Sequence, residues 1–89
     1  MPESNLNKSL NDLHDELAQS QPTEKTQPIV DELRAKIQPF VAQPDADHFL
    51  HYESLGERLN LALVDLDVDH PRLSAAIRTV LDELAAVGI

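Results

Sequence analysis

Residues 61–73 read LALVDLDVDHPRL, with Asp65, Asp67 and Asp69 alternating with apolar residues ahead of a His-Pro pair. That alternation suits a cation loop, a half-buried strand or the end of a helix. A calcium loop of the EF-hand type starting at Asp65 needs glycine at its sixth position for the sharp turn and a bidentate glutamate at its twelfth. His70 and Ala76 stand there instead. The strand reading has the right period but no neighbouring strand pattern to pair with, and a lone strand is not stable in water. The stretch therefore reads as a helix end, a turn and a second helix start, which makes the chain all-α.

On the C-terminal side, Pro71 suits a first helical position, where its missing N–H costs nothing, and it holds His70 out of the helix. Leu73, Ile77, Val80, Leu81 and Leu84 then share one face of a helix over 71–87. Gly88 is the natural left-handed stop, with Ile89 placed to fold back onto the last turn. On the N-terminal side, a helix over 48–68 carries Leu55, Leu59, Ala62 and Leu66 on one face, with Leu63 at its edge. Projected at 100° per residue, Leu50, Leu61, Val64 and Val68 fall on the opposite face. A helix apolar on two sides must be covered on two sides. It is either the central element of the fold or its second face meets another chain.

Further upstream, Leu6, Leu10, Leu13 and Leu17 have helical spacing within a helix over 5–19, in a stripe as narrow as a coiled-coil seam. Ser4 or Asn5 is the expected cap. After the breaker QSQPT (19–23), a second helix over 27–42 has Thr26 as its expected cap and Pro28 in its first turn. Its apolar positions are Ile29, Val30, Leu33, Ile37, Phe40 and Val41, and Glu32 with Lys36 makes a surface pair at four-residue spacing. Pro39 is expected to kink or end it. QPDAD (43–47) is a loop, with Asp45 or Asp47 as the next cap. The pattern predicts one domain over 1–89, a small antiparallel bundle of about four short helices open to completion by oligomerisation.

Seven Lys and Arg against sixteen Asp and Glu give a net charge of -9, and seven of the acids lie in residues 45–70 beside one base. Such a chain repels phosphate backbones and anionic lipid, so neither nucleic acid nor a membrane surface is an expected partner. At 42% hydrophobic it is too apolar for a disordered acidic tail. Cysteine is absent, which removes disulfides and thiolate chemistry. The opening MPESNLNKSL lacks a basic start followed by an apolar run, and a cytoplasmic location is expected.

Chemistry is sparse. Ser9, Ser20, Ser54 and Ser74 lack a glycine-framed elbow, and with Gly56 and Gly88 alone there is no phosphate loop. The carboxylate pairs Asp12 with Glu16 and Glu53 with Glu57 read as exposed helix faces. His14 reads as a surface side chain and His70 as a residue that opens a helix. Neither an enzyme nor a cofactor is expected. His48 and His51 lie three residues apart, and with Asp45 or Asp47 they form a weak candidate for zinc or nickel. The pair lacks the glutamate and the spacing of a metalloprotease helix.

The opening LNKSLNDLHDELAQ (6–19) and the closing HPRLSAAIRTVLDELAAVGI (70–89) resemble a bacterial family of very small acidic proteins, domain of unknown function 4404. The shared marks are the leucine-spaced first helix, the His-Pro-x-Leu start of the last, a Leu-Ala run and a Gly-Ile end. Pro28, Pro39 and QPDADHFLHY (43–52) depart from the family's smoother charged helix. The resemblance implies a bacterial, cytoplasmic, all-helical protein and transfers no catalytic residue. The resulting expectation is a non-enzymatic interaction or self-assembly module, a homo-oligomer or the partner of another protein. Its contacts would come from Leu6, Leu10, Leu13 and Leu17 or from Leu50, Leu61, Val64 and Val68. The alternative is a metal-responsive or small-ligand module using His48 and His51, with Asp47 nearby.

Overall fold

The computed structural model describes residues 2–43 and 48–88. Four helices follow one another: α1 (Pro2–Gln19), α2 (Gln27–Ala42), α3 (Phe49–Leu66) and α4 (Pro71–Ala86). No strand occurs among the described residues. The tightest packing joins α1 to α4; α2 lies against the other flank of α1 and α3 against α4, while α2 and α3 touch only lightly. The start of α4 meets the end of α1 through Arg72 and Glu16, so these two helices run antiparallel.

The helices start and stop for local reasons, some of which differ from expectation. α1 begins at Pro2, so Ser4 and Asn5 lie inside it rather than capping it. Proline's fixed φ and missing N–H are best tolerated in that first turn. Thr26 does stand at the head of α2, yet its hydroxyl makes no cap bond. The Thr23 carbonyl instead takes the N–H groups of Thr26 (3.1 Å) and Gln27 (2.8 Å). Thr26 is fully buried, its Oγ1 accepting the Thr23 N–H at 2.8 Å and lying 3.0 Å from His70 Nε2. The loop that opens α2 is thereby tied to the residue that opens α4.

Pro39 lies inside α2, which runs one short turn past it to Ala42. Asp45 and Asp47, the expected caps of α3, lie outside the described residues; the N-cap position is His48. α3 closes at Leu66, two residues short of expectation, because residues 67–69 tighten into a turn. Helical bonding carries into that turn, with the Asp67 N–H on the Leu63 carbonyl (3.0 Å) and the His70 N–H on that of Leu66 (2.8 Å). The aspartates thus mark a helix end. Asp67 accepts a hydrogen bond from Arg78 Nη2 of α4 at 2.5 Å, which fastens the turn to the helix that follows. His70, at φ −135° and ψ 69°, precedes Pro71 at the head of α4, and Gly88 stops that helix with φ +98°.

One continuous core forms from Leu6, Leu10, Leu13 and Leu17 of α1, Val30, Leu33, Ile37 and Phe40 of α2, Tyr52, Leu55, Leu59, Ala62 and Leu66 of α3, and Leu73, Ile77, Val80 and Leu84 of α4. This corrects the reading of the α1 leucines as an association seam. They are at most 1% exposed, enclosed by the chain's own α2 and α4. The two-faced helix is resolved as well: α3 is a flanking element, with Leu55, Leu59, Ala62 and Leu66 inside and Leu50, Leu61, Val64 and Val68 outside.

Leu59→Ala should lower unfolding stability by about 2–5 kcal/mol through lost burial and a residual cavity. Leu61→Gln and Val64→Gln, on the outer face, should each stay within about 0.5 kcal/mol of the parent. Urea unfolding followed by circular dichroism reads both; equal losses would mean that the outer face is core.

Candidate interaction surface

Among the described residues the large exposed hydrophobic side chains are Phe49, Leu50, Leu61, Val64 and Val68, all of them on α3 or the turn that ends it. Scattered exposed apolar residues are ordinary, whereas a set gathered on one element is a candidate contact surface. Leu50 (88%), Val64 (79%) and Val68 (87%) are almost as open as on an unfolded chain. Ser54 and Glu57, both exposed, fall on the same stripe. The positions 50, 54, 57, 61, 64 and 68 alternate steps of four and three, the spacing of a helix-pairing seam. Phe49, half exposed at the edge of the stripe, sets its ring edge-on to Tyr52 at 6.2 Å. Sequence projection missed Phe49, which lies 100° from Leu50 around the helix; its position beside Leu50 was the available signal.

The rim of the stripe is acidic. Glu53, Asp65, Asp67 and Asp69 are exposed around it. The cation on this helix, Arg58, is turned away: its Nε donates to both carboxylate oxygens of Glu32 on α2, at 2.6 and 2.8 Å. The hydrogen bond from Arg58 holds the Glu32 carboxyl below its ordinary range, partly opposed by desolvation and assisted by the charges of Arg58 and Lys36. Glu32 is therefore the partner of Arg58 more than of Lys36, the neighbour its spacing suggested.

The other candidates are brought together less well. His48 and His51 both border a cleft of about 220 Å³ between α2 and α3. The His48 ring is buried against Phe40 (centroids 4.6 Å apart), and its Nε2 donates to the Gln43 carbonyl at 2.6 Å, while His51 is exposed. Asp47, the third donor, lies outside the described residues. Among the described residues no group of three or more His, Cys, Asp or Glu side chains could hold a metal ion. Asp12 and Glu16 line an open groove between α1 and α4, and Arg72 reaches Glu16 at 3.5 Å. Ser9 and Ser20 donate to backbone carbonyls of α1, those of Asn5 and Leu17. Ser74 Oγ is buried with no partner among the described residues. His14 Nε2 meets Gln38 Oε1 at 3.1 Å and links α1 to α2.

The family model described as Domain of unknown function (DUF4404) matches residues 6–89. The chain belongs to that family. The DUF4404 match begins at Leu6, the first core leucine, and runs through all four helices. No curated protein and no solved structure matches it. No helix among the described residues of this DUF4404 chain is long and apolar enough to cross a membrane.

The Arg58–Glu32 pair has a pH signature. Because the folded-state carboxyl is lowered, its contribution is present above the unfolded pKa and is lost as pH falls through the lower folded value. The stability gap between the parent and Glu32→Gln should be constant near neutrality and should shrink only in acid, below the ordinary carboxylate range. Denaturant melts at a series of pH values read this, and a gap that persists unchanged in acid would assign Glu32 a role other than the ion pair.

Proposed function

We propose that the protein is a non-enzymatic protein-interaction or self-assembly module whose working surface is the outer face of α3. The carrying observation is that Leu50, Leu61, Val64 and Val68 all stand exposed on one stripe while the opposite face of the same helix fills the core. A second polypeptide laid along that stripe would bury it. Each large apolar side chain so covered contributes roughly 1.5–3 kcal/mol.

Light scattering coupled to size exclusion, over a wide concentration range, separates the two forms of the reading. A mass above the monomer that returns to the monomer in Leu61→Gln with Val64→Gln indicates self-assembly through α3. A strict monomer assigns the face to another protein. A photo-crosslinking residue at Val64 then gives a discrete protein adduct in cells, which substituting Leu50 and Val68 by Gln removes. A monomer that forms no adduct overturns the proposal.

The alternative, a metal-responsive or small-ligand module, draws on the cleft shared by His48 and His51. It predicts that zinc raises the melting temperature of the parent and leaves His48→Ala with His51→Ala unmoved. An unchanged melting temperature and unchanged ring resonances of the two histidines in the parent exclude it.

A further inference from the structure

We propose that the outer face of α3 receives a cationic amphipathic helix of another protein, with a lysine or arginine of that helix facing Glu57. This rests on the reading of the face as a docking surface and adds the chemistry of the occupant. The shape of the face selects a helix. Positions 50, 54, 57, 61, 64 and 68 keep seam spacing over roughly five turns, about 27 Å at 1.5 Å per residue. Such a stripe is matched by apolar side chains recurring at the same interval on a facing helix.

Charge selects its sign. Residues 49–69 hold five acids and one base. That base, Arg58, is held by Glu32, and Arg78, the cation that reaches this region from α4, is held by Asp67. Glu53, Glu57 and Asp69 form no ion pair among the described residues. Glu57 matters most, because it sits in the stripe itself, between Leu50 and Leu61. Any helix laid on the stripe takes water from that carboxylate, and a carboxylate without a cation resists desolvation. A cation across the seam removes that penalty, and others at the flanks face Glu53 and Asp65.

The same feature argues against a second copy of this chain. The stripe is symmetric about Leu59, so two copies paired antiparallel would set Leu50 of each beside Val68 of the other, a good apolar match. They would also set Glu57 of each against Leu61 of the other and bring ten acids together, with both arginines of each copy already committed. Like charges facing each other suppress a pairing that shape alone allows.

The probes are two synthetic peptides of about three heptads each. They share one leucine seam and differ in carrying lysine or glutamate at the flanks and at one central seam position. Titrated into the isotope-labelled full chain, the lysine peptide should bind, with amide shifts confined to residues 49–69, and the glutamate peptide should not. Glu57→Gln should weaken the lysine peptide about tenfold. Leu61→Gln with Val64→Gln should abolish binding, which generic attraction to an acidic protein would not show. Binding that survives the apolar substitutions, that ignores Glu57→Gln or that is equal for the two peptides overturns the proposal. A chain that refuses the lysine peptide and self-associates through α3 overturns it too, but leaves the docking surface standing. A strict monomer that takes neither peptide and forms no adduct at Val64 removes the docking surface as well.

Discussion

The packing of α1 on α4 is the constraint from which the other contacts follow. Leu6, Leu10, Leu13 and Leu17 form a stripe only one side chain wide, and it is fully enclosed only when α4 presents Leu73, Ile77, Val80 and Leu84 alongside α2. Once that seam is made, α4 has one flank left. α3 covers it with Leu55, Leu59, Ala62 and Leu66, with Gly56 buried beside the Leu84 side chain. α3 is held mainly through this one neighbour, so its far side is left to solvent.

Two polar connections fix the relative placement of the helices. The partly buried contact between Thr26 and His70 joins the start of α2 to the start of α4, 44 residues on. The bifurcated bond from Arg58 Nε to both carboxylate oxygens of Glu32 joins α3 to α2, beside the stacked rings of Phe40 and Tyr52. The same bond withdraws the only cation of α3 from its outer side. An intramolecular tie thus sharpens the negative charge of the outer face.

Most of this bundle was legible in the chain because helical periodicity, proline placement and the closing glycine are local signals. Pro71, Gly88 and the two opposed faces of α3 needed no knowledge of the rest of the molecule. Which apolar stripe a neighbour covers is not local information. The α1 leucines and the outer stripe of α3 look equally eligible as interfaces in sequence, and only the arrangement of helices places one inside and the other outside. Thr26 and His48 were misread in a related way. Thr26 reads in sequence as the cap of its own helix and His48 as a weak metal ligand, while their side chains serve a distant and a cross-loop contact, with His70 and with Gln43 and Phe40. The Arg58–Glu32 pair was hidden because spacing within α2 pointed Glu32 to Lys36.

The pairing of the first helix with the last also shapes how the chain is made. A ribosome adding roughly 5–20 residues per second needs several seconds to move from Leu17 to the leucines of α4. Through that interval the α1 stripe has only the flank of α2 to lean on, so the nascent chain shows a leucine seam that the finished molecule conceals. Any fragment that stops before α4 retains that seam permanently. An internal stop or a cut in the turn at 67–69 therefore turns a self-contained bundle into a sticky peptide rather than a smaller version of itself.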